Sequence, residues 1–140
     1  MGVATYDPFF ISGVPKPKGS WVPIRNKKDP SLPIKFRHAS NKTAKWCISA
    51  HEQVADIWKG PLLDGPVAVE LLFLIPRPKT VVRQYPTGRY EGDLDKHARA
   101  ILDAMTGIVY KDDSQVMNMP VKKRYTDGQP GVWATISTDL

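Results

Sequence analysis

Four aspartates in the second half of the chain, Asp93, Asp95, Asp112 and Asp113, are the residues whose type and spacing could do chemistry. With ordinary pKa values of about 3.9 they are ionised at neutral pH, and brought together they repel one another unless a cation lies between them. Carboxylates are hard oxygen donors, suited to Mg²⁺ or Mn²⁺. Asp93 and Asp95 stand at the mouth of an amphipathic segment, where free N–H groups favour an anion. Asp112 and Asp113 lie in the polar turn Lys111-Asp112-Asp113-Ser114. A helix of about twelve residues, a short strand over Ile108 to Tyr110 and an antiparallel return can carry that turn back to the helix start. Each pair also has a plainer reading, because aspartate caps helices and Asp-Asp-Ser is common turn chemistry.

Charge distribution favours the metal reading. The 140 residues hold 20 Lys and Arg against 14 Asp and Glu, a net charge of +6. Residues 91–113 contain six acids and three bases, a local −3, which leaves 17 bases against 8 acids elsewhere, or +9. A basic body attracts a polyanion such as DNA or RNA, whereas an acidic cluster inside it repels phosphate. A divalent cation reverses the local sign and makes the two compatible.

The elements that must position these residues follow from pattern. Phe9 to Gly13 reads as a first strand. Residues 14–38 are Pro-rich and basic, and read as an extended arm or loop; Gly13 to His38 holds five prolines and seven Lys or Arg against Asp29 alone. Trp21 and Phe36 within it either anchor the loop or stack on bases. Asn41 to Lys59 is a helix with Cys47, Ala50, Val54 and Trp58 on its apolar face, capped by Ser40 or Asn41 and ended by Gly60-Pro61. Val67 to Ile75 is a buried strand. A second basic, Pro-rich loop at about 76–92 carries Arg77, Lys79, Arg83 and Arg89. Leu94 to Thr106 is a second helix with Leu94, Ala98, Ile101, Leu102 and Met105 facing a core, terminated by Gly107. A strand from Gln115 to Arg124, a turn at Asp127-Gly128 and a last strand through Val132, Ala134 and Ile136 complete the pattern. The expected fold is α+β, a single domain over 1–140 with a mixed β-sheet of four or five strands packed against two main helices. Cys47 has no partner for a disulfide, and no leader or long apolar run is present, so a soluble, cytoplasmic protein away from membranes is expected.

The stretch Gly92 to Val116 resembles the RusA family of Holliday junction resolvases. The family motif runs Asp-x-Asp-Asn-x-x-Lys, then an Asp-Ala pair, then Asp-Asp-x-Gln. Here it reads Asp93-Leu94-Asp95-Lys96-His97-Ala98-Arg99, Asp103-Ala104 and Asp112-Asp113-Ser114-Gln115. Lys96 replaces the usual Asn and Arg99 the usual Lys. Weaker similarity covers Ile11 to Lys18, Gly65 to Lys79 and the last two strands.

The resemblance implies a dimeric, Mg²⁺-dependent endonuclease that cuts four-way DNA junctions by paired nicks, of a kind common in phages and prophages, with no small-molecule cofactor. It implies that Asp93, Asp95 and Asp113 bind the metal, with Asp112 a weaker candidate, and that Arg99 takes the place of the family's functional Lys. Lys16, Lys18, Arg77, Lys79, Arg83, Arg89 and Lys96 are the expected DNA contacts. Arginine keeps the charge of lysine on a planar fork, which suits phosphate better than proton transfer. The alternatives are an inactive binder of branched DNA and a nuclease for flaps or replication forks.

Other polar residues read more plainly. His97 is expected on the solvated surface, and His51 beside the apolar face of the first helix. Cys47 is expected as a small buried hydrophobe, and Asp103 as a structural acid pairing with Arg99. Lys122 to Arg124 is a basic strand end that could face solvent or DNA.

Overall fold

The computed structural model describes residues 2–18, 21–24, 28, 31, 35–38 and 41–140. Its elements are β1 (Phe9–Ser12), β2 (Trp21–Ile24), β3 (Lys35–His38), α1 (Asn41–Ile57), β4 (Val67–Pro76), α2 (Leu94–Met105), β5 (Val116–Asn118), β6 (Val121–Thr126) and β7 (Gly131–Ser137), with 3₁₀ turns at Arg89–Glu91 and Asp113–Gln115. The fold is α+β, with a mixed five-stranded sheet and two helices.

β4 is the axis of the sheet. It pairs antiparallel with β7 on one side and parallel with β5 and then β6 on the other, while β1 lies antiparallel on the far side of β7. Strand alternation divides β4 cleanly: Val67, Val69, Leu71, Phe73 and Ile75 are buried, and Glu70 on the other face is exposed. The buried row meets Trp46, Ala50 and Val54 of α1 and Ala98, Ile101, Ala104 and Met105 of α2 in one core. The link 127–130 crosses the C-terminal end of β4, since Thr126 pairs with Pro76 and Gly131 with Leu74. The loop leaving β4 therefore starts beside the end of β6 and leads into α2.

Several expectations need correction. The arm at 14–38 is not wholly irregular, because β2 and β3 form a separate antiparallel ribbon within it. Two strands outside the main sheet tolerate Pro23, which a central strand would not. The side chains of Trp21 and Phe36, and the cap candidate Ser40, lie outside the described residues. Ile108 to Tyr110 is not a strand but a turn with isolated bridges from Tyr110 to Leu63 and Thr106. Gln115 to Arg124 is not one strand: a 3₁₀ turn precedes β5, and Met119-Pro120 separates β5 from β6. Proline cannot donate to the ladder, and its carbonyl instead accepts from the Leu71 N–H at 2.9 Å. On α1 the buried aromatic is Trp46, with Cys47 only half-buried.

Candidate active site

The N-terminus of α2 displays two carboxylates. Asp93 occupies the cap position with extended backbone, yet its side chain makes no capping hydrogen bond and is 71% exposed. Its nearest cation is Lys96, whose Nζ lies 3.6 Å from Asp93 Oδ2. Asp95 and Arg99 are both exposed and stand four residues apart, on one face of α2.

The second pair divides its duties. Asp112 caps the 3₁₀ turn at Asp113–Gln115: the Gln115 N–H donates to the Asp112 carbonyl at 3.1 Å, the Asp112 N–H donates to Gln115 Oε1 at 2.8 Å, and Ser114 Oγ donates to Asp112 Oδ2 at 2.7 Å. Gln115 also ties the turn to the Leu63 and Gly65 carbonyls, at 3.0 and 2.8 Å. Asp113 is exposed and has no such role. Among the described residues no group of three or more His, Cys, Asp or Glu is arranged to hold a metal ion. The donors match a hard cation by chemistry, and one or two carboxylates with water and substrate phosphate are what Mg²⁺ ordinarily uses.

A polar clasp holds the backbone entering Asp93. His97, expected at the surface, is fully buried against Phe73, with ring centroids 5.2 Å apart. Its Nε2 donates to the Glu91 carbonyl at 2.7 Å. Burial in this apolar setting pulls the imidazole below its ordinary range, although the bond to Glu91 works against that shift. The Glu91 side chain is only 9% exposed, and accepts from Tyr125 Oη at 2.6 Å and from the Arg83 guanidinium. Burial opposes ionisation of Glu91, yet these two bonds together with the charges of Arg83 and Lys123 outweigh it and hold the carboxyl below its usual range. Lys123 Nζ donates to the Gly92 carbonyl at 2.8 Å. Gly92 sits at φ 91°, and a Cβ there would come within 2.5 Å of His97 Nε2 and 2.9 Å of Pro17 Cγ. Only glycine suits that position.

The expected DNA contacts fall into two sets. Lys18 is paired with Asp103 at 2.6 Å, so Asp103 braces the N-terminal arm against α2 instead of pairing with Arg99. Arg83 is bound to Glu91, and Arg77 lies over the Tyr125 ring, 4.4 Å from its centroid. Lys79 and Arg89 are exposed, and Lys16 and Lys96 are half-buried. Of the basic run in β6, Lys123 serves the clasp, Arg124 lies over Tyr85 at 5.3 Å, and Lys122 is exposed. His51 Nδ1 meets the Ala104 carbonyl at 3.0 Å, joining the helices. Glu91, His97, Lys123 and Tyr125 were not legible as site residues. The available signal was His97 standing four before Ile101 and seven before Ala104, the spacing of a buried face.

No helix among the described residues is long and apolar enough to cross a membrane. A family model described as Endodeoxyribonuclease RusA matches residues 16–137. A Bacillus subtilis (strain 168) protein named as uncharacterized protein YqaN is 30% identical over 78 residues, covering 47% of this chain and 54% of that protein. The chain thus spans about half the length of the curated relative it matches.

Proposed function

Because the chain belongs to the RusA family of endodeoxyribonucleases, we propose that it is a Mg²⁺-dependent, structure-specific endonuclease resolving four-way junctions by paired symmetric nicks in DNA recombination and repair. The observation that carries this reading is Asp93: a carboxylate at the family's motif position that caps nothing and stands open to solvent.

Asp93, Asp95 and Asp113 are the motif carboxylates proposed to hold the ion, one or two of them at a time with water and substrate phosphate completing its shell, while Asp112 shapes the turn that presents Asp113. When bound, Mg²⁺ (or Mn²⁺) supplies Lewis-acid polarisation of the phosphate and a water of lowered pKa. The chain's own residues do the rest. Arg99, on the Asp95 face of α2, offers a planar fork to the phosphate and stabilises charge developing there. Lys16, Lys79 and Arg89 track the flanking backbone. Lys18, Arg77 and Arg83 act indirectly, holding the arm and the loop in place. The clasp fixes the direction in which Asp93 projects.

Two symmetric incisions require two sites related by a twofold axis, hence a homodimer. The apolar face of α2 is buried in the chain's own core, so the second copy must use another surface. The setting proposed is the bacterial cytoplasm, with a phage or prophage origin.

A second reading, an inert binder of branched DNA, is favoured by Lys96 lying 3.6 Å from Asp93 Oδ2, where it would compete with a metal. Incubation with a synthetic four-way junction, with and without Mg²⁺, separates the two. Symmetric nicks that require Mg²⁺ support the nuclease, and binding without incision supports the inert binder. Cutting a flap or fork in preference to the junction would assign a different branched substrate.

A further inference from the structure

The loop between β4 and α2 carries a feature that a metal site does not explain. Tyr90 is 98% exposed and Val82 99% exposed, on a loop that also presents Tyr85, Lys79 and Arg89 to solvent. Single exposed apolar residues are ordinary, but Tyr90 stands on a turn held from below. Its neighbour Glu91 is locked by Tyr125 and Arg83, the Glu91 carbonyl by His97, and the Glu91 N–H by the Gly88 carbonyl at 3.0 Å. An aromatic ring is thereby displayed three residues before Asp93.

Beside it lies a cavity of about 360 Å³, lined by Pro15, Ile75, Pro78, Val81, Lys16 and the paired Arg83 and Glu91, with Tyr90 itself part of the lining. That volume lies within the range of about 300 to 1,000 Å³ typical of small-ligand sites. Apolar walls, an exposed ring and flanking cations suit a flat base joined to an anionic backbone. Rings of this kind bind bases by stacking, with little regard for sequence.

We propose that Tyr90 is a stacking platform for a nucleobase left unstacked at the branch point of DNA, holding the strand whose phosphate is presented to Asp93 and Asp95. The inference rests on the junction reading above and adds the contact by which the unstacked branch point is selected. In a linear duplex every base is already stacked, so the same ring gains little there.

The test compares a four-way junction with a linear duplex of the same sequence, in EDTA so that binding is read without incision. Wild type, Tyr90→Ala and Tyr90→Phe are compared. Because the side chain is exposed, neither change disturbs the core. Tyr90→Ala should lose about 5- to 150-fold in junction affinity and no more than about twofold on duplex, with Tyr90→Phe close to wild type. A junction loss below about fivefold, an equal loss on duplex, or a Phe variant as weak as the Ala variant would overturn the stacking role. Wild type that binds the junction no better than the duplex would overturn the junction reading, and this inference with it.

Discussion

Adjacent aspartates can have separate duties, and Asp112 and Asp113 are such a pair. Asp112 is engaged in a reciprocal cap with Gln115 and Ser114, so Asp112→Ala should lower stability by about 1 kcal/mol, within the range of about 0.5 to 2 for lost caps. Asp113→Asn should leave the melting temperature nearly unchanged, as exposed substitutions do, and should reduce incision by at least ~100-fold. Thermal denaturation and junction cutting on the same two proteins check both statements. Equal stability losses would mean that the cap is not formed as described. Asp103 belongs to a different category again. Its pair with Lys18 is partly open to solvent, so Asp103→Asn should cost at most about 1 kcal/mol by denaturant titration.

At the scale of elements, the turn into α2 is the weak point. Gly92→Ala must place a Cβ against His97 Nε2 and Pro17 from a backbone at φ 91°, and should destabilise by more than about 1 kcal/mol while slowing incision. If its urea midpoint matched wild type, the clasp would not be under steric control. The start of α2 and most of its buried stripe were legible because apolar spacing reports burial directly, and the Pro-rich loops because proline limits the backbone locally. His97, expected on the solvated surface because it points away from Asp95, is buried because that same direction places it on the stripe with Ile101 and Ala104. The Lys18–Asp103 pair joins residues 85 apart, and Lys123 reaches Gly92 across 31. Such partners are set by how β6 and the arm pack on α2, and no local pattern announces them. The break at Pro120 did have a local signal, in the proline itself.

For the whole molecule, the average charge of +6 conceals an acidic site within a basic body. Binding to a junction should therefore be strongly salt-dependent. If six cations contact phosphate, affinity should fall by about 10³-fold between roughly 50 and 200 mM salt. A flat salt response would remove the electrostatic footing of the proposed interface. Sedimentation on the junction should give two chains per DNA, and one chain per junction would contradict the paired-nick mechanism. The central claim, that the exposed carboxylates at the mouth of α2 and in the 113 turn cut branched DNA, is tested most directly by one assay. A labelled four-way junction is incubated with wild type and with Asp93→Asn, each with and without Mg²⁺, and both binding and incision are followed. Symmetric nicks from wild type only with Mg²⁺, and an Asp93→Asn protein that binds but does not cut, are the predicted results. Undiminished cutting by Asp93→Asn, or no cutting by wild type under any condition, would contradict the account.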